Sequence, residues 1–306
     1  MGIDTFLTVE SPTGPSAGFT EITESFVPLT PVQKCINSFA GNLRYKYREY
    51  MAEFFSTFIL LVLGLGVVHV VMLSPNKQNF FSVNWGWGLA LTMAIYTNVG
   101  ISGAHLNPAV TIALAISRGF PWAKVPGYIF AQTLGAFCAS ALIFGLYYQP
   151  LNTFDGGIRQ VVGYKASANF YAAYPEPFIS QGNAFFNEFV LTAILMIVIL
   201  SITDHRNASY AALGPIVIGL MLVCIGITLG GLNGYSLNPA RDFGPRLFTL
   251  VAGWGVETFS AFDYYFWIPM VAPIVGAVFG AILYDFFYLF ETTHTLSESV
   301  RKYNSS

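Results

Sequence analysis

The string Leu-Asn-Pro-Ala occurs twice in this chain, at 106–109 and at 237–240, each time inside a long apolar stretch. Asn is a strong helix N-cap, and Pro at the first helical position gives up only an amide hydrogen that has no intrahelical acceptor. The two strings therefore predict two helices that begin at matched places in the two halves. Behind the first run Val110-Thr111-Ile112-Ala113-Leu114-Ala115-Ile116-Ser117, and Arg118-Gly119 ends the segment. At 1.5 Å per residue this gives about 15 Å of helix, half of a hydrocarbon layer roughly 30 Å thick. Two such half-helices placed tip to tip span one membrane, with their positive dipole ends meeting at its centre.

The composition agrees with a membrane setting. Of 306 residues 54% are hydrophobic, 16% aromatic and only 10% charged, where soluble domains carry roughly a quarter charged residues. A net charge of -2 without a Lys/Arg cluster argues against a nucleic-acid partner. Six apolar segments, about 49–72, 83–102, 123–148, 183–203, 210–231 and 262–289, are each long enough to cross a bilayer. One capped half-helix follows the second segment and the other follows the fifth. The expected fold is thus an all-α membrane protein with six transmembrane helices and two re-entrant half-helices. Each repeat reads span, span, half-helix, span, an odd number of crossings, so the second repeat is inverted relative to the first.

Other residues recur with the repeat. Glu53 and Glu188 stand 54 and 50 residues before Asn107 and Asn238, and small residues precede both caps (Gly100, Ser102, Gly103, Ala104; Gly230, Gly231, Gly234, Ser236). Irregular backbone at membrane depth is tolerated where it lines a cavity or is buried in protein, and it leaves amides in need of acceptors. The two carboxylates are read as supports for those loops in preference to a proton relay. Arg241, three residues after Asn238, is costly in a membrane segment and is expected to face water with a functional role. Asp242 and Arg246, at i and i+4, read as a structural ion pair in preference to a solute contact. His69 and His105 have no further ligands at metal spacing, so no metal is expected. No nucleophile with a base and no phosphate-cradling loop is present, so neither enzyme activity nor a cofactor is expected.

Basic residues orient the chain. With the N-terminus inside, Lys34, Arg44, Lys46, Arg48, Arg118, Lys124, Arg206, Arg301 and Lys302 are cytoplasmic, against Lys77, Arg159 and Lys165 outside, which places both termini in the cytoplasm. Residues 1–46, rich in Ser, Thr, Pro and Gly, read as a disordered tail.

The segments Ser102-Gly103-Ala104-His105-Leu106-Asn107-Pro108-Ala109-Val110-Thr111 and Gly234-Tyr235-Ser236-Leu237-Asn238-Pro239-Ala240-Arg241-Asp242-Phe243-Gly244-Pro245-Arg246 resemble the two signature loops of the aquaporin superfamily. Asp242, Arg246, Tyr147 and Pro269-Met270 make the chain similar to its aquaglyceroporin branch, the glycerol facilitators. The resemblance implies a selectivity filter of Trp87, Gly226, Tyr235 and Arg241, with Tyr235 where that filter has phenylalanine. It implies a pore centre at Asn107, Pro108, Ala109, Asn238, Pro239 and Ala240. It also implies a ladder of carbonyl acceptors at Gly103, Ala104 and His105 and at Asn233, Gly234 and Tyr235. The function it implies is a passive channel in the lipid bilayer for glycerol, other small neutral solutes and water, closed to ions and protons and assembled as a homotetramer. A strictly water-selective channel and a secondary transporter are the alternatives. The expected domains are an N-terminal tail (1–46), a channel domain (47–290) and a C-terminal tail (291–306). Within the channel domain, repeat one is 47–148, the outer loop 149–182 and repeat two 183–290. A plasma-membrane or internal-membrane location is expected.

Overall fold

A computed structural model describes residues 30–74, 79–204, 206–207 and 212–289. Among these the regular structure is all helical, with no strand. It divides after Leu43 into an N-terminal unit and a compact unit that starts at Arg44. The first helix, α1, runs Pro31–Leu73, so residues 31–46, expected to be disordered, are helical. Lengthening an existing helix avoids the cost of a new nucleus, and Pro31 stands at the one helical position that tolerates proline well. The rest of the expected N-terminal tail (1–29), the expected C-terminal tail (291–306) and Lys77 lie outside the described residues.

Among the described residues, four helical stretches are long and apolar enough to cross a bilayer: Leu43–Leu73, Trp122–Leu146, Gln181–Thr203 and Glu257–Tyr288. They contain the rest of α1, α4 (Val125–Leu146), α6 (Gln181–Thr203) and α10 (Ile268–Tyr288). The two other expected spans are shorter: α2 (Phe80–Tyr96) has 17 residues and α7 (Gly214–Leu229) has 16. Each stops where glycines and polar residues begin to feed a half-helix. The half-helices are α3 (Pro108–Ser117), with 10 residues, and α8 (Pro239–Thr249), with 11. The outer loop contains a short helix, α5 (Tyr148–Asp155), and before α10 lies α9 (Glu257–Tyr264), whose backbone bends at Ala261–Asp263.

The repeats interlock through residues at equal distances from their caps. Gly88 on α2 and Gly219 on α7 each stand 19 residues before an asparagine cap, and a Cβ on either would run into the carbonyl oxygen of the other. Gly135 on α4 lies against the Phe54 carbonyl of α1, and Gly276 on α10 lies against the Phe189 carbonyl of α6. Phe54 and Phe189 directly follow Glu53 and Glu188, so these close crossings fix both carboxylates at matched depths. Each half-helix packs on the last long helix of the other repeat. Ala109, Val110 and Ala113 of α3 share a buried cluster with Ala277 and Ala281 of α10, and Gly244 of α8 lies against Ala136 and the Thr133 carbonyl of α4.

Candidate pore

Both caps form as the sequence requires. Asn107 Oδ1 accepts from Ala109 N at 2.8 Å, and Asn238 Oδ1 accepts from Ala240 N at 3.0 Å and Arg241 N at 3.2 Å. Their amide groups reach across to the opposite loop. Asn107 Nδ2 donates to Leu237 O at 2.8 Å and Asn238 Nδ2 donates to Leu106 O at 2.7 Å, so the half-helix tips meet. An amide carries two donor hydrogens, which leaves one N–H on each asparagine beyond this exchange. Pro108, Ala109, Pro239 and Ala240 are buried behind the caps.

The loops that lead into the caps carry matched left-handed residues: Gly103 (φ 85), Ala104 (53) and Leu106 (55), and Gly234 (77), Tyr235 (34) and Leu237 (54). For the four that are not glycine this conformation costs about 1–2 kcal/mol each, so something must hold it. Glu53 Oε1 accepts from Asn98 Nδ2 at 3.1 Å, from the Ser102 hydroxyl and from His105 N at 2.9 Å. Its Oε2 accepts from Leu106 N and Gln132 Nε2, both at 2.8 Å. In the second repeat, Glu188 accepts from Asn233 Nδ2 at 3.3 Å, Ser236 N at 2.6 Å and Leu237 N at 2.8 Å. Both glutamates are fully buried, and their oxygens take the amides that a non-helical loop leaves without partners.

A cavity of about 620 Å³ runs past both caps. Its lining includes Asn107 and Asn238, the loop residues Gly103, Ala104, His105 and Tyr235, and Trp87 and Arg241. The Arg241 guanidinium carbon lies 4.7 Å from the Trp87 ring centroid, and its Nη1 donates to Tyr171 O at 3.3 Å. This gives the cavity wall a fixed cation beside an indole face. The Tyr235 hydroxyl donates to Asn84 Oδ1 at 2.5 Å. Toward the other end of α3 the lining includes Arg118 and Asp204. Arg118 pairs with Asp285 at 2.5 Å, and Asp204 accepts from the Tyr284 hydroxyl at 2.6 Å.

Of the residues expected in the filter and the carbonyl ladder, Gly226, Asn233 and Gly234 do not line this cavity. Gly226 lies behind Tyr235, where a Cβ would overlap Asn84 and press on the tyrosine ring. Gly234 is also away from the lining, and Asn233 turns its amide inward to Ala184 O and Glu188, both at 3.3 Å. Asp242 and Arg246 form a buried pair at 2.5 Å away from the cavity. Asp242 Oδ2 also accepts from Ala173 N at 2.7 Å, while Arg246 donates to Ala173 O and to Thr258 O and lies over the Tyr174 ring. The pair thereby ties the outer loop to α8. Burial raises the hydroxyl of Tyr174, in that loop, to a pKa of about 12, so it stays neutral beside Arg246.

Asn84, Gln132 and the Tyr171 carbonyl take part in this site without being among the expected site residues. Asn84 and Gln132 carry one usable signal, a neutral amide inside an apolar span, because such a group has to be paired in the interior. Tyr171 acts through its backbone carbonyl, for which its residue type gives no signal.

The major intrinsic protein family model matches residues 42–284 of the chain. The chain is similar to aquaglyceroporin-2 of Rhizophagus irregularis, with 49% identity over 245 residues, covering 79% of this chain and 78% of that protein. It is similar to human aquaporin-9, with 44% identity over 261 residues, covering 85% and 88% of the two chains. Its structure resembles that of the aquaglyceroporin from Plasmodium falciparum at a TM-score of 0.72 and 38% identity, covering 78% of this chain and 95% of that one. A match over residues 42–284, well beyond half of the chain, with the interlocked caps inside it, means that this multi-pass membrane protein belongs to the major intrinsic protein family.

Proposed function

We propose that the chain is a passive channel for glycerol, other small uncharged solutes and water. The observation that carries this reading is the reciprocal pair of asparagine caps beside one cavity that also meets Arg241 and Trp87. A polyol has a carbon edge and a hydroxyl edge. Trp87 and Tyr235 cover the first, Arg241 and the free asparagine N–H groups donate to the second, and the loop carbonyls of Gly103, Ala104 and His105 accept from it. A hydroxyl left without a partner costs about 1–3 kcal/mol, which is one to two orders of magnitude in rate. Matched polar contacts along the wall therefore decide what passes.

Ions are refused on the same geometry. A cation approaching the centre meets the positive ends of two half-helices and the guanidinium of Arg241. A water at the centre accepts from both asparagines and so turns its hydrogens outward, which breaks a chain of hydrogen bonds that would pass protons. In this reading Gly226 acts by leaving space for Tyr235, and Asp242 and Arg246 act by holding the outer loop. Both termini are cytoplasmic, and the chain assembles as a homotetramer with one pore per subunit.

The relatives named aquaglyceroporins support glycerol over a strictly water-selective pore. Against a secondary transporter stand the many hydrogen bonds that hold Glu53 and Glu188 in the loops. The test is glycerol uptake by liposomes that contain the protein, over a range of concentrations, with and without proton and sodium gradients. Flux that rises linearly and ignores the gradients is expected; saturable, gradient-driven flux would contradict the channel.

A further inference from the structure

The Tyr235 ring sits in a niche made by two helices. From α7, Gly226 and Gly230 supply the floor, and a Cβ on either would overlap the ring or press on it. From α2, one turn apart, come Phe80, whose ring meets that of Tyr235 edge-on at 6.4 Å, and Asn84. Asn84 is fully buried, and its Nδ2 is itself fixed by Phe80 O at 2.9 Å, so its oxygen has one orientation. That oxygen accepts the Tyr235 hydroxyl at 2.5 Å. The hydroxyl is therefore turned away from the solute path, while the ring still borders the cavity.

We infer that Asn84 is a positioning residue for solute selection: by capturing the hydroxyl of Tyr235, it makes a tyrosine serve as an apolar wall. This rests on the proposed conduction of glycerol. Without the acceptor, a buried hydroxyl has to find another partner, and water in the cavity is the one within reach of a ring tilt. The tilt narrows the slot and puts a polar group where the carbon edge of a polyol would lie. Water passes such a slot more readily than glycerol does.

The test compares water and glycerol permeability of the full chain in liposomes for wild type, Asn84→Leu, Tyr235→Phe and the double variant. Asn84→Leu is expected to lower the glycerol-to-water ratio about tenfold. In the Tyr235→Phe background the same change is expected to leave its parent's ratio within about twofold, because no hydroxyl remains to be released. An equal effect in both backgrounds overturns the inference, since an asparagine that is merely structural acts in both. If Asn84→Leu fails to reach the membrane, recovery in the double variant supports the inference and failure there overturns it. A wild type that conducts water without glycerol defeats the glycerol reading and this inference together. A wild type that conducts both, with an unchanged ratio in Asn84→Leu, defeats this inference alone.

Discussion

The side chain of Asn107 donates to the carbonyl before Asn238, and that of Asn238 returns the bond to the carbonyl before Asn107, at 2.8 and 2.7 Å. Each half of the chain thus holds the cap of the other, and neither loop can shift alone. Asn107→Asp keeps an oxygen for the Ala109 amide but sets a second oxygen against the Leu237 carbonyl. The lost bond and the opposed acceptors are expected to cost about 1–3 kcal/mol and to reduce water flux per channel. Thermal unfolding in detergent together with stopped-flow water permeability checks this; unchanged values for both would mean that the tips are not coupled.

Glu53 takes five donors and Glu188 three. Replacing a carboxylate oxygen by NH2 sets donor against donor, so Glu53→Gln orphans at least one of the His105 and Leu106 amides or displaces Gln132. A loss of about 1–3 kcal/mol is expected, with the glycerol flux that survives still blind to ion gradients. Stable protein that had lost only a gradient-driven component would instead favour proton coupling through this residue.

Arg241 stands over Trp87 and is tethered to the Tyr171 carbonyl. Arg241→Ala removes both the fixed cation and much of the bulk that faces Trp87 across the cavity wall. Uptake of polyols longer than glycerol is expected to rise, and a cation conductance is expected to appear in planar bilayers, since a fixed positive charge beside a narrow path repels cations. An unaltered solute profile would contradict the proposed role of Arg241 in solute selection.

At the end of α6, Asp204 holds α10 through the Tyr284 hydroxyl and pairs with Arg206 at 2.5 Å. Hydrogen bonds from Arg206 first, and then from Tyr284, keep its carboxyl well below the ordinary carboxylate range. A carboxyl with a depressed native pKa contributes stability above its unfolded value and loses it only as pH falls through the native one. Amide exchange in residues 281–288 is therefore expected to stay slow down to about pH 4 and to quicken only below. Asp204→Asn is expected to quicken it at neutral pH. Loosening of the wild type already near pH 5 would contradict this placement.

Local rules made part of this structure legible. Asn-Pro caps are written in four residues, so the starts of α3 and α8 at Pro108 and Pro239 follow from the string itself. Glu53 and Glu188 recur with the repeat, 54 and 50 residues before the caps, and an irregular loop needs acceptors for its amides. What escaped is set by tertiary neighbours. That Gly226 backs Tyr235 instead of facing the cavity depends on where α7 meets α2. That Asn233 turns inward to Glu188 depends on the path of its loop. The Ser/Thr/Pro/Gly composition of the first residues carries no sign of the start of α1 at Pro31, because extending an existing helix needs no new nucleus.

The most direct test of a polyol-conducting pore is the ratio of glycerol to water permeability, measured on a single preparation of liposomes that contain the protein. Both permeabilities are expected to exceed those of protein-free liposomes. A water permeability that rises while glycerol crosses no faster than in protein-free liposomes would contradict the account.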